Sequence, residues 1–463
     1  MLFLKIIMEN RNINDTKIHE AFRASTKKHI LMITNHGIHE WKVTPGLPDT
    51  GGQNVFVNHL TDELVNLGYK ITIINRGGYR HPYAEKELKG LDYKNENQRI
   101  LYIEDSQQKF VPKEEMLSLI PELVDDLSKY LKQEKSTIDF ILSNYWDAAK
   151  VGIELNNYLP RKVKHCWIPH SLGTIKKRNS PSWHWEKLRI DERIGVEKKI
   201  ITQVDKIVST SSLIEKTLKE DYKYFEDLLF FQPCIDTKRY FPHEVKNESE
   251  IWSYLTSNSK LSTNELQKYK IITEISRTDR TKQKDLLIKA FAQVHKKNPD
   301  TILVVSIDEK QKELSDELYK LIQILNLEKH VIAVGSIWDL LPDLYAISDI
   351  YCTPSRMEGF GMSIQEAAAT KIPCIASDLV PFAKEYLLGN QVSIIQNPNF
   401  KYPIEKGKGA FVVKASDVNG FAYAINTLLE NANLHKEMGE NAYNITIPYF
   451  TWESMTQELI KHL

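Results

Sequence analysis

Cysteine is scarce: the 463-residue chain has four, Cys166, Cys234, Cys352 and Cys374, far apart and without a Cys-x-x-Cys pair. This argues against a disulfide scaffold and leads us to expect buried free thiols in a reducing compartment. Net charge is missing as well. With 61 basic and 61 acidic side chains, no bulk electrostatic case exists for nucleic acid or an anionic membrane, although a local basic pocket stays open. No apolar run approaches the ~20 residues of a membrane span. The opening MLFLKIIM covers eight residues before the polar ENRNINDTK, with no small-residue cleavage site after it. The expectation is a cytoplasmic protein with no nucleic-acid partner and no integral membrane association. What is plentiful is hydrophobic side chain, 42%, and enough length for two to three domains.

One stretch, Arg356 to Ala369 (RMEGFGMSIQEAAA), carries the most chemistry. It follows an extended segment, YCTPS, so Gly359 and Gly361 fall at a strand-to-helix turn. A tight turn with a capped helix would account for the glycines. So would a loop in which backbone without β-carbons approaches a ligand and the first helical N–H groups favour an anion. Glu358 and Glu366 lie about two helical turns apart, a distance over which both can face one pocket. Carboxylates do not suit a phosphate but do accept hydrogen bonds from sugar hydroxyls. The stretch therefore reads as a place for a sugar joined to a phosphate.

Strand signals alternate with helical ones along the chain. HILMITNHG, a long polar loop containing Pro48-Asp49-Thr50-Gly51-Gly52-Gln53, a helix with Val55, Leu60, Leu64 and Leu67 at helical spacing, and KITIINR form a β-α-β unit with parallel strands. The loop exceeds the usual two to six residues, and long loops at the carboxyl ends of parallel strands usually face the ligand crevice. Residues 77–108 read as irregular apart from RILYI. A helix runs on from KFVPKEE to Leu131, and IDFILSNYWDAAKVG gives strand, turn and helix, with Asp147 placed to cap that helix or to meet a sugar hydroxyl. KHCWIPHSLGTIKKRN ends a strand at His170 and adds Lys176, Lys177 and Arg178, a solvated helix start or a crevice rim. Residues 243–268 are polar and read as a linker or surface insertion. A second alternation follows, with KYKIITEISR, TILVVSI, HVIAVGSI, DIYCTPS and IPCIASD as strands. Arg277 and Lys282 bracket its first loop, as surface charges or as a diphosphate grip. No internal repeat is visible beyond these two similar halves. The tail, TWESMTQELIKHL, reads as a short amphipathic helix.

Six blocks in order resemble the retaining glycosyltransferases of family four, near the sucrose-phosphate and mannosylfructose-phosphate synthase branch, over about residues 29–458. PDTGGQ, KFVPKEE, NYWDAAKVG and PHSLGTIKKR are similar to that branch, SRTDRTKQKDLLIKAF to the donor-diphosphate loop, and EGFGMSIQEA to the family's Glu-x7-Glu element. The resemblance implies an α/β protein of the GT-B class, two Rossmann-like doubly wound domains facing across a cleft, with the C-terminal helix crossing back to the N-terminal domain. It implies an acceptor-binding domain over residues 1–237 plus the helix 447–463, and a donor-binding domain over 238–446. Glu366 would hold the donor ribose, Arg277 and Lys282 the diphosphate, and Glu358 with Gly359, Phe360, Gly361, Met362 and Ser363 the donor sugar and its phosphate. His170 would lie beside the transferred sugar. Gly51, Gly52, Gln53, Lys109, Tyr145, Asp147, Ser171, Lys176 and Arg193 would form the acceptor side. The co-substrate would be a nucleotide diphosphate sugar, UDP-glucose or GDP-mannose, and the acceptor a small sugar or sugar phosphate. No other cofactor and no metal would be required, and the chain has no Asp-x-Asp motif.

The chain departs from the family in several places. SDLVPFAKE replaces a Gly-Gly-Pro turn, and Gln283 stands where relatives have glycine or asparagine. Arg193 matches one arginine of a pair, and Glu192 occupies its neighbour's place. A phosphate pocket weakened in this way would admit an unphosphorylated acceptor. A lipid or protein acceptor, or a non-catalytic nucleotide-sugar-binding role, are the alternatives to transfer onto a small sugar.

Overall fold

The computed structural model describes residues 16–43, 49–50, 52–81, 86–309, 311–335 and 337–463. The chain divides into two compact units, one running up to Gln232 and including Trp452–Leu463, the other Pro233–Thr451. The described residues form one eight-stranded sheet in each.

In the first unit the strands are β1 (His29–Ile33), β2 (Lys70–Arg76), β3 (Gly90–Asn95), β4 (Gln98–Ile103), β5 (Phe140–Asn144), β6 (Lys164–Ile168), β7 (Lys206–Ser209) and β8 (Leu229–Phe230). Their order is β3-β4-β2-β1-β5-β6-β7-β8, parallel except where β3 pairs with β4. The central strands are buried along their length, as expected where helices cover both faces of a parallel sheet. The winding direction reverses between β1 and β5, which brings the loops leaving those two strands to one switch point, the usual place for a ligand.

The second unit contains β9 (Lys270–Glu274), β10 (Thr301–Ser306), β11 (Val331–Val334), β12 (Ile350–Thr353), β13 (Cys374–Ser377), β14 (Ser393–Ile395), β15 (Ile404–Lys406) and β16 (Ala410–Val413). The order β11-β10-β9-β12-β13-β16-β15-β14 again reverses, now between β9 and β12. Alternate residues face opposite sides: Ile302 and Val304 join one core, Leu303 and Val305 the other.

The structure corrects the sequence reading in several places. Residues 243–268 are not a linker: helices Glu250–Ser257 and Thr263–Leu266 occupy much of the span, and Ile251, Leu255 and Leu266 are fully buried in the second unit's core. With Trp252 and Leu261 also buried there, five apolar anchors within a polar stretch suffice. Residues 77–108 hold the β3–β4 hairpin, whose outer strand alternates between exposed and half-buried and so gives little hydrophobic signal. On the helix Gly52–Asn66, Val55 is exposed and the buried stripe runs through Val57, Leu60 and Leu64. The tail forms the helix Trp452–Ile460 and docks within the first unit. There, Trp452 stacks on His59 (ring centroids 5.0 Å) and meets Phe56 edge-on at 5.3 Å. All four cysteines are free and buried. No helix among the described residues is long and apolar enough to cross a membrane.

Candidate functional site

In the second unit the loops leaving β9 and β12, neighbours at the switch point, are stitched together. Arg356 N donates to Thr281 O at 2.8 Å, and Lys282 Nζ lies 2.5 Å from Glu358 Oε1. Two sequence-selected residues, 76 positions apart, thus form one largely buried pair. Arg277 does not join them. Its side chain is 87% exposed, with Asp279 at 3.7 Å, so it is free to swing onto an anion. Gln283 adopts φ +50°, which explains why glycine and asparagine suit this position: both tolerate the left-handed region at little cost.

Gly361 has φ +106° and starts the helix Met362–Ala369, which has no side-chain cap. A β-carbon there would meet Val380 Cγ1 at 2.7 Å, so glycine is required by both conformation and space. Val380 belongs to the divergent SDLVPFAKE segment, which therefore packs directly on the loop. Nothing lies within 4 Å of a β-carbon built on Gly359. Phe360 turns its ring into the core against Phe382 and Tyr386 and offers a ligand only its backbone. Ser363 Oγ accepts a hydrogen bond from Tyr351 at 2.8 Å, and Met362 is exposed.

Glu366 stands among groups the sequence did not single out. Tyr345 Oη donates to its Oε2 at 3.4 Å. Burial pushes its carboxyl up to about 7, against the pull of Arg239 and the hydroxyls of Tyr345 and Tyr240. The Arg239 guanidinium also lies 4.1 Å over the ring of Trp338, which is exposed.

In the first unit the ends of β5 and β6 are strained. Tyr145 has φ +78° and His170 φ +52°, conformations that cost about 1–3 kcal/mol each and that cluster at functional sites. Trp167, fully buried, holds the first by donating from Nε1 to Tyr145 O at 3.0 Å. His170 Nε2 lies 2.9 Å from Asn144 Oδ1, whose amide nitrogen is turned toward Ile33 O. The imidazole therefore donates from Nε2 and presents Nδ1 as a lone pair. Burial, and then nearby His36, pull its pKa down to about 3. A neutral histidine at this strand end can accept a hydrogen bond but brings no charge.

Asp147 does not cap its helix. It is fully buried and accepts from His36 Nδ1 at 3.0 and 3.2 Å, and His36 was not singled out in the sequence. Gln53 Nε2 donates to Thr34 Oγ1 at 2.9 Å, and a β-carbon on Gly52 would meet open space. Pro48 and Gly51 lie outside the described residues. Lys109 is exposed, and its carbonyl accepts from Arg76 at 2.8 Å. Lys176 Nζ pairs with Glu114 at 2.9 Å. Arg193 is buried and committed: Nε to Glu197 at 2.7 Å, one Nη to Tyr145 Oη at 2.5 Å, and the other to Ser171 O at 2.7 Å. Glu197 in turn accepts from the backbone N–H of Gly173 at 2.9 Å, so this network holds the His170–Gly173 loop. Among the described residues no group of three or more His, Cys, Asp or Glu side chains converges as a metal site would require.

Comparison with known proteins agrees with this layout. Residues 50–239 match the model of Glycosyltransferase Family 4, and residues 257–445 that of Glycosyl transferases group 1. The chain is 28% identical to mannosylfructose-phosphate synthase of Agrobacterium fabrum, over 75% of this chain and 76% of that one. Among solved structures it resembles sucrose-phosphate synthase from Thermosynechococcus elongatus (TM-score 0.65, 21% identity, 94% of this chain and 98% of that one). It also resembles Anabaena HepE, solved in complex with UDP and glucose (TM-score 0.60, 16% identity, 94% and 99%). Two Rossmann-like units of the GT-B class, one matched by each of these models, mean that the chain belongs to the group 1 and family 4 glycosyltransferases.

Proposed function

We propose that this glycosyltransferase moves a hexose, with retention of anomeric configuration, from a nucleotide diphosphate sugar to a small sugar or sugar-phosphate acceptor. The observation that carries the donor half is the meeting of Lys282 with Glu358 beside the uncapped helix that Gly361 starts. One cation, a second, exposed cation in Arg277 and a row of free N–H groups are what a leaving diphosphate needs. Glu358 and Glu366 supply acceptors for sugar and ribose hydroxyls. UDP-glucose and GDP-mannose are the donors proposed, and the complex of HepE with UDP and glucose supports the first. The donor role falls to the second unit and the acceptor role to the first.

In the reaction, the bond from the anomeric carbon to the diphosphate oxygen breaks as the acceptor oxygen bonds to that carbon on the same face. The acceptor proton passes to the departing diphosphate, so no protein nucleophile is consumed. The protein contributes position and charge. His170, neutral and fixed by Asn144, orients a hydroxyl of the transferred sugar through Nδ1.

The test is transfer from UDP-glucose and GDP-mannose, with product configuration read by NMR. Glu366→Ala and Lys282→Ala are each expected to lower kcat/KM by about two to three orders of magnitude, the scale of one lost positioned contact. Wild-type rates in both folded variants refute the site, and an inverted product refutes retention.

A further inference from the structure

To aim Nδ1 at a hydroxyl, His170 needs its ring held in one plane, and two side chains hold it. The hydrogen bond from Nε2 to Asn144 Oδ1 at 2.9 Å fixes one ring atom and leaves the imidazole free to roll about that axis. The ring of Phe56 stops the roll. It meets the imidazole edge-on, with centroids 4.9 Å apart and planes at 82°. An edge-to-face pair has a preferred geometry as well as buried area, so the direction of Nδ1 follows from where Phe56 stands. The backbone at φ +52° adds to the need, because a strained residue keeps its conformation only where its surroundings over-determine it.

Phe56 is itself wedged by two further rings. Phe231, fully buried, lies 5.2 Å from it, and Trp452 lies 5.3 Å from it. Phe231 and Trp452 also meet each other at 5.8 Å, so the three rings close a triangle to which His170 is attached at the Phe56 corner. Trp452 is clamped in turn by stacking on His59, which lies on the same helix as Phe56 and nearly one turn further on. Among the described residues no ring contact joins Trp452 to His170 directly. Two corners of the triangle stand where the chain leaves the first unit, after Gln232, and where it returns, at Trp452. The start of the C-terminal helix is thereby tied to the histidine at the end of β6.

Resting on the transferase reading above, we infer that Trp452, acting through Phe56, is a positioning residue that sets the plane of the His170 imidazole and hence the aim of Nδ1. Removing the indole lets Phe56 tilt into the vacated space and lets His170 roll with it. The donor still binds, since its grip belongs to the second unit. The transferred sugar is then held off line, and a displacement of about 1 Å at a reacting centre costs on the order of a hundredfold in rate.

The experiment measures kcat and donor KM for transfer by the full chain from UDP-glucose and GDP-mannose onto hexoses and hexose phosphates, with melting temperature alongside. Trp452→Ala and Phe56→Leu are each expected to lower kcat about tenfold or more while donor KM stays within about twofold, the split expected when positioning and not binding is lost. Trp452→Phe keeps an aromatic edge against Phe56 and is expected to restore kcat to within about threefold of the wild type. The double variant Phe56→Leu/Trp452→Ala should be no slower than Phe56→Leu alone, since Trp452 acts through Phe56. Leu459→Ala removes a buried side chain about two turns further along the same helix. It is expected to lower the melting temperature and leave kcat unchanged. Phe56→Leu carries the test if Trp452→Ala does not fold. Wild-type kcat in the folded variants, an equal kcat loss in Leu459→Ala, or fully additive losses in the double variant overturns the inference and leaves the transferase reading standing. No transfer from either nucleotide sugar by the wild type overturns both.

Discussion

Glu366, in the donor role proposed for it, would set function against stability, and the stability side can be measured. Its carboxyl titrates near 7 in the folded protein, against an ordinary value of 4.5, chiefly because burial penalises the charge. The folded state therefore holds a proton that the unfolded state has released between those two pH values. A carboxyl whose pKa is raised on folding lowers stability as pH climbs through that window, by about 1.4 kcal/mol for each pH step of one within it. The loss is at most a few tenths of a kcal/mol at pH 4 and about 3 kcal/mol at pH 8. Glu366→Gln removes the titrating group and keeps the hydrogen-bonding shape facing Tyr345. At pH 8 the variant should be about 2–3 kcal/mol more stable than the wild type, which for a folded domain of this size raises its melting temperature by roughly 5–10 °C. At pH 4 the two should melt together. Thermal unfolding at a series of pH values reads the difference directly, and the same variant should bind nucleoside diphosphates more weakly. A stability gain that does not grow with pH, or no gain at all, would refute the reasoning. The outcome expected is a carboxylate retained for its ligand at the expense of the fold.

Two further perturbations test the cores beneath the sites. Lys284 Nζ contacts Glu274 Oε2 at 2.5 Å and the hydroxyls of Ser276 and Ser306 at 3.0 Å, with both charged side chains buried. Lys284→Met strands the Glu274 carboxylate and should cost about 3–5 kcal/mol in urea unfolding, much of it recovered by adding Glu274→Gln. A loss below about 1 kcal/mol contradicts the pairing. In the first unit, burial of Glu134 works to raise its pKa, but two hydrogen bonds of 2.5 Å from Arg99 prevail and hold it at about 2. Its contribution is therefore present above pH 4.5 and lost as pH falls from there toward 2, about 3 kcal/mol in all. Glu134→Gln should flatten the acid limb of the stability curve, and an unaltered limb rules the linkage out.

Reading the chain without its structure went furthest where a local pattern meets a local need. The strands KITIINR and KHCWI are buried on both sides of the pleat after their first residue, because both sheet faces are covered. Gly361 is glycine because its backbone is left-handed and Val380 fills the space beside it. RILYI foretold β4, but the outer strand β3 and the helices in 243–268 were missed for the opposite reason: an edge strand and short helices leave little periodic signal. The same limit applies to Phe360, whose place in the motif said nothing of its ring turning into the core.

Alternation of strand and helix, the two glycine loops and the Glu358–Glu366 spacing were determined by the sequence alone, since each depends on neighbours along the chain. The tertiary structure decided the pairings. Lys282 meets Glu358, His36 meets Asp147, Arg239 stands by Glu366, and Glu114 neutralises Lys176. Each joins segments dozens of residues apart, through strands made neighbours by sheet order. No local pattern contains that order.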